Sequence, residues 1–140
     1  MNKKYIALIL IFPLLSVSLF IGKVNAEAPE PVVKTDWTVQ EVKDLVDYYA
    51  DKNGVSRQLL HKVVKCESQY NYKAVNMRDS HRLSQGSHGV GQFSKETFIG
   101  FSKQMGQEYY NDPYNPEQAL DVMSWAIKNG YGNHWTCYRK

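Results

Sequence analysis

Cys66-Glu67-Ser68-Gln69-Tyr70-Asn71 stands at the end of an apolar stripe, and Gly89-Val90-Gly91-Gln92-Phe93 follows it across a polar interval. Leu59, Leu60, Val63 and Val64 precede Glu67, so that Leu60, Val63 or Val64, and Glu67 fall along one helical face. A carboxyl at the edge of a core loses hydration, which disfavours its charged form. A carboxyl that keeps its proton near neutral pH can donate it, as a glycosidic oxygen requires of a general acid. The plain alternative is a solvated acid in the last turn of a helix, the commoner fate of a glutamate.

Working outward, the neighbouring segments read as helices with marked ends. Thr38 and Glu41 have capping-box spacing, and Val39, Val42, Val46 and Tyr49 recur at helical intervals until Asn53-Gly54 supplies a stop. Ser56 caps the helix that ends near Ser68. Ser94, with Glu96 in the first turn, starts a third that carries Phe98, Phe101 and Met105 and closes at Gly106. Asn115-Pro116-Glu117 is a strong helix start; Ala119, Leu120, Met123, Ala126 and Ile127 follow, and Asn129-Gly130 ends the run. From Asn71 to His88 the composition is polar.

Glu67-Ser68, then Tyr70-Asn71, Ala74-Val75 and Gly89-x-Gly91-Gln92-Phe93, resemble the soluble lytic transglycosylase family, over about Ser56 to Phe98, with echoes at Asn115-Pro116-Glu117 and Trp135. The resemblance implies a mainly α, small lysozyme-like helical domain whose polar loop or short hairpin lines a cleft. It implies cleavage of the β-1,4 bond between N-acetylmuramic acid and N-acetylglucosamine in peptidoglycan. Glu67 would be the single acid/base, the products would carry 1,6-anhydro ends, and neither cofactor nor metal would be needed. Gln92 is expected to touch the glycan, with Ser68, Tyr70, Gly89 and Phe93 grouped beside it. Gly91 replaces the family's usual Met, and no Ala-Tyr-Asn motif lies near the C-terminus, so Tyr131 is taken as the stand-in for its tyrosine. Two other readings stay open: a non-catalytic peptidoglycan-binding module, and a hydrolytic lysozyme using a second carboxylate from Asp79, Glu96 or Asp112.

The chain begins Met1-Asn2-Lys3-Lys4, runs uncharged from Tyr5 to Gly22 and continues Lys23-Val24-Asn25-Ala26, the pattern of a secretory signal peptide cleaved after Ala26. The expected organisation is a signal peptide over 1–26, an extended Pro-containing leader over 27–36 and the enzymatic domain over 37–140. An uncleaved anchor is the alternative, and cleavage would leave no stable membrane insertion. Lys3, Lys4 and Lys23 account for the whole net charge of +3, leaving 14 bases against 14 acids. An exported chain so balanced lacks the basic field of a nucleic-acid binder. Its expected partner is the glycan strand of peptidoglycan, met as a monomer in the periplasm or outside the cell. Small domains of this kind also resemble wall-opening parts of secretion or conjugation machinery.

Cys66 and Cys137 are the only cysteines. In an oxidising compartment they are expected to form a disulfide, two buried thiols being the alternative. His134-x-x-Cys137 has metal-like spacing but lacks the remaining ligands of a structural zinc. A Cys-His protease would need Cys66 as a thiolate, which a disulfide consumes.

Overall fold

Thr38 opens the first helix with a reciprocal cap. Its hydroxyl accepts from the Glu41 N–H, while the Glu41 carboxylate accepts from the Thr38 N–H at 2.8 Å. Helix α1, Val39–Asn53, then runs to Gly54, whose left-handed φ of 66° ends it. The computed structural model describes residues 34–78 and 86–140. The expected signal peptide, most of the leader, Asp79 and His81 lie outside the described residues.

Ser56 caps α2, Arg57–Ser68, by accepting from the Leu59 N–H, and Ser94 caps α3, Lys95–Gln104, by accepting from the Thr97 N–H. Asn115 accepts from the N–H groups of Glu117 and Gln118 at the head of α4, Pro116–Ala126. Beyond Ala126 the chain widens into a turn over Ile127–Tyr131, with non-helical angles at Asn129 and Gly130, tightens over Gly132–His134, and ends in the short α5, Thr136–Arg139. Between α2 and α3 a two-stranded antiparallel ribbon forms from β1, Val75–Asn76, and β2, Ser87–His88, with Val75 opposite His88 and Asn76 opposite Ser87. His88 pairs a second time with Phe93 around the Gly89–Gln92 turn. The described part of the polar interval thus contains a short ribbon.

Helix α1 packs on α2 and α4, α3 packs on α4, and α5 packs on α2. Val42, Val46, Leu60, Val63, Val64, Phe98, Leu120, Val122 and Met123 are fully buried at these junctions. Each such side chain contributes about 1.5–3 kcal/mol by leaving water. Val90 is also buried, which roots the Gly89–Gln92 turn in the same core. Among the described residues one charged side chain sits wholly inside: Asp121 on α4. Its carboxylate accepts from Lys52 Nζ at 2.7 Å, from the Tyr110 hydroxyl at 3.0 Å and from Asn53 Nδ2 at 3.0 Å, tying the end of α1 and the α3–α4 connection to α4. No helix among the described residues is long and apolar enough to cross a membrane.

Candidate active site

The carboxylate of Glu67 emerges half-buried from the last turn of α2, where the Cys137 N–H donates to its Oε1 at 3.3 Å. The Cys66–Cys137 disulfide sets up that contact, with Cα atoms 5.9 Å apart across 71 residues of chain. It brings the C-terminal segment to the residue immediately before Glu67. A cross-link closing so long a loop contributes about 2–4 kcal/mol. Both sulfurs are engaged, so neither can serve as a thiolate ligand or nucleophile.

Glu67 lines a cleft of about 220 Å³ with Ser87, Gln92, Phe93, Ser94, Thr97, His134, Trp135 and Thr136. One wall is the turn after β2 and the start of α3; the other is the segment delivered by the disulfide. Trp135 joins them, its indole N–H donating to the Gly91 carbonyl at 2.7 Å while its ring meets Phe93 edge to face. Both aromatic residues are nearly enclosed, Phe93 at 2% and Trp135 at 4% exposure, so they present an apolar rear wall with hydroxyls and an imidazole around it. Glu67 is the only carboxylate among the described residues lining this cleft. Glu96 and Asp112 line a different depression.

Local backbone strain collects in the two motif stretches. Among the described residues, the non-glycine positions with positive φ are Gln69 at 54°, Tyr70 at 65° and Gln92 at 47°. Such conformations cost of order 1–3 kcal/mol each and persist where surrounding structure imposes them. At Gln92 the consequence is visible: Nε2 folds back onto the Gly89 carbonyl at 2.9 Å, with the Ala74 carbonyl at 3.4 Å, which fixes the amide at the cleft. Gly89, at φ 69°, makes the turn feasible because a Cβ there would lie 1.9 Å from the Pro113 carbonyl oxygen. Gly91 has a comparable reason: a Cβ would lie 2.4 Å from the Phe93 ring. The absence of a Met at this position is thus matched by a phenylalanine ring lying across the glycine.

The structure brings Glu67, Gln92 and Phe93 to one cleft, with Gly89 shaping the turn beside it. It places Ser68, Tyr70 and Tyr131 elsewhere. Ser68 is buried and its hydroxyl donates to the Val64 carbonyl one turn back. Tyr70 follows the left-handed Gln69 away from the cleft, and its hydroxyl meets His61 Nδ1 at 3.1 Å. Burial and then the charge of Asp47 raise its pKa. Tyr131 packs against Phe101 and Trp125, with its hydroxyl on Gln104 Oε1 at 3.3 Å.

Sequence reasoning missed Ser87, Ser94, Thr97, His134 and Thr136 as lining residues, and it noted Trp135 only as an echo. A signal for His134, Trp135 and Thr136 existed: pairing Cys137 with Cys66 obliges the neighbours of Cys137 to lie near Glu67. Among the described residues no group of three or more His, Cys, Asp or Glu is placed to hold a metal ion.

No curated protein and no solved structure matches the chain. A family model does, over residues 44–138, a span that holds Glu67, the ribbon, the Gly89–Gln92 turn, the disulfide and both walls of the cleft, and by that match the chain belongs to the transglycosylase SLT domain family.

Proposed function

We propose that this chain cleaves the glycan strands of peptidoglycan with Glu67 as its one acid/base and releases 1,6-anhydro products. Its family points to peptidoglycan as the polymer and to lytic transglycosylase activity in general. The observation that supports the finer reading is that no carboxylate other than Glu67 lines the cleft among the described residues, with Trp135 and Phe93 behind it and the Cys137 N–H donating to it. Glycosidases that add water commonly use two facing carboxyls. A single carboxyl must instead serve twice.

In that scheme the Glu67 carboxyl gives its proton to the glycosidic oxygen as the C1–O4 bond breaks. The substrate's own N-acetyl group supports the electron-poor C1. The carboxylate left behind then takes the proton of the C6 hydroxyl, whose oxygen bonds to C1 and closes the anhydro ring. No water is consumed, and Glu67 finishes as it began. Such cycling needs a carboxyl whose pKa lies near the working pH. Gln92, with its Nε2 fixed to the turn, orients the sugar, and the exposed Thr136 supplies a hydroxyl to the glycan.

The test is the mass of the products from purified cell walls. Disaccharide ends one water lighter than the hydrolytic product are expected. Reducing ends alone would refute the single-carboxyl scheme.

A further inference from the structure

Several polar groups around Glu67 are already hydrogen-bonded within the protein. Gln92 Nε2 donates to the Gly89 carbonyl, the Ser94 hydroxyl donates to Thr97 Oγ1 at 2.9 Å and accepts from the Thr97 N–H, and Glu67 Oε1 accepts from the Cys137 N–H. His134 differs. It is exposed at the cleft, and among the described residues its imidazole makes ring contacts only, with no hydrogen bond to either nitrogen.

The ring is nevertheless held in place. Phe101 on α3 meets it edge to face at 5.0 Å between centroids, with Trp135 at 6.3 Å and Tyr131 at 6.4 Å. The backbone beneath it is fixed as well. His134 ends the tight Gly132–His134 turn, and the next residue, Trp135, is anchored by its N–H on the Gly132 carbonyl and its indole on the Gly91 carbonyl. A side chain positioned before the ligand arrives gives up little rotamer freedom on binding, so more of each hydrogen bond it makes is realised as affinity. Packing alone would need only the ring. A neutral imidazole adds one N–H donor and one acceptor nitrogen, and an N-acetylated sugar offers hydroxyls that do both and a carbonyl that accepts.

We propose that His134 is a glycan-binding residue, its ring nitrogens hydrogen-bonding the hydroxyl or N-acetyl oxygens of a sugar in the Glu67 cleft. The inference rests on the reading that this cleft holds the glycan, and it gives the segment tied down by the Cys66–Cys137 disulfide a direct part in recognising it.

The experiment uses the full chain carrying Glu67→Gln, so that binding is read without cleavage, and peptide-free glycan strands released from purified walls as the probe. NMR follows the His134 ring resonances through the titration, and calorimetry gives the affinity. The ring signals are expected to shift. Adding His134→Phe, which keeps a ring against Phe101 and Trp135 but removes both nitrogens, should weaken affinity about tenfold, the loss of one hydrogen bond with its partner left unpaired. Adding His134→Gln instead, which supplies a donor and an acceptor, should recover most of that loss. Unshifted ring signals, undiminished affinity in His134→Phe, or equal losses in the Phe and Gln variants would overturn the proposal; the ring signals decide it even where a variant fails to fold. A parent chain that clears walls while the ring signals stay unmoved would remove His134 from recognition and leave the catalytic reading intact. Shifted ring signals in a chain that clears nothing would do the reverse.

Discussion

At the scale of single residues, the site depends on a few positions where the backbone can take only one form. Gly89 is the sharpest case, combining a left-handed φ with a carbonyl oxygen 1.9 Å from where a Cβ would be. Gly106 has a similar φ of 76° and nothing within 4 Å of its missing Cβ. Gly106→Ala should therefore cost only the left-handed penalty, about 1–2 kcal/mol. Gly89→Ala must also displace the Pro113 loop and should cost about 3 kcal/mol or more. Urea unfolding of the two variants checks this; equal losses would remove the argument that the loop presses on the turn. Tyr131 illustrates the limit of residue-by-residue carry-over, since its aromatic neighbours Trp125 and Phe101 decide its place and Phe101 lies 30 residues away in sequence.

At the scale of elements, the helices were legible because their signals are local. Thr38, Ser56, Ser94 and Asn115 each cap the helix that follows, and Gly54 ends the first, all within one turn of the residues they act on. What was not legible is how one helix buries a charge against another. Asp121 lies in the apolar run of α4, yet its partners Lys52 and Asn53 are 69 and 68 residues away. The cleft shares this property: Glu67 and Gln92 were readable from motifs, whereas Thr136 and His134 reach it only through the Cys66–Cys137 link. Asp121→Ala would leave the Tyr110 hydroxyl and Lys52 without their acceptor, while the Asn53 amide keeps Ser124 Oγ at 2.7 Å. It is expected to lower stability by about 3 kcal/mol. A midpoint of unfolding unchanged from the parent would show that the network contributes nothing.

At the scale of the whole molecule, the exposed acids and buried phenols set the pH range of stability. Hydrogen bonds from Lys34 and then Thr38 hold Glu41 down to about 2 from its ordinary 4.5, and Asp36 and Asp51 are lowered chiefly by hydrogen bonds from Tyr72 and Arg57. The folded state binds fewer protons than the unfolded chain as acid is added, so this stability is present above about pH 4.5 and is lost as pH falls toward 2. Tyr49, Tyr70 and Tyr110 behave oppositely. Burial raises each above the ordinary 10, so their contribution is complete below pH 10 and is lost as pH rises beyond it. Melting temperatures across pH should form a plateau with a falling limb on each side, and Glu41→Gln should flatten part of the acid limb. A uniform decline from neutrality upward would contradict this assignment.

The central claim concerns one carboxyl, and the most direct measurement is the rate at which the full chain clears a suspension of purified walls, compared with Glu67→Gln at matched thermal stability. The account expects clearance to fall by about a thousandfold, the loss of a positioned acid/base, with the melting temperature preserved. Retained clearance in a folded Glu67→Gln protein would contradict it.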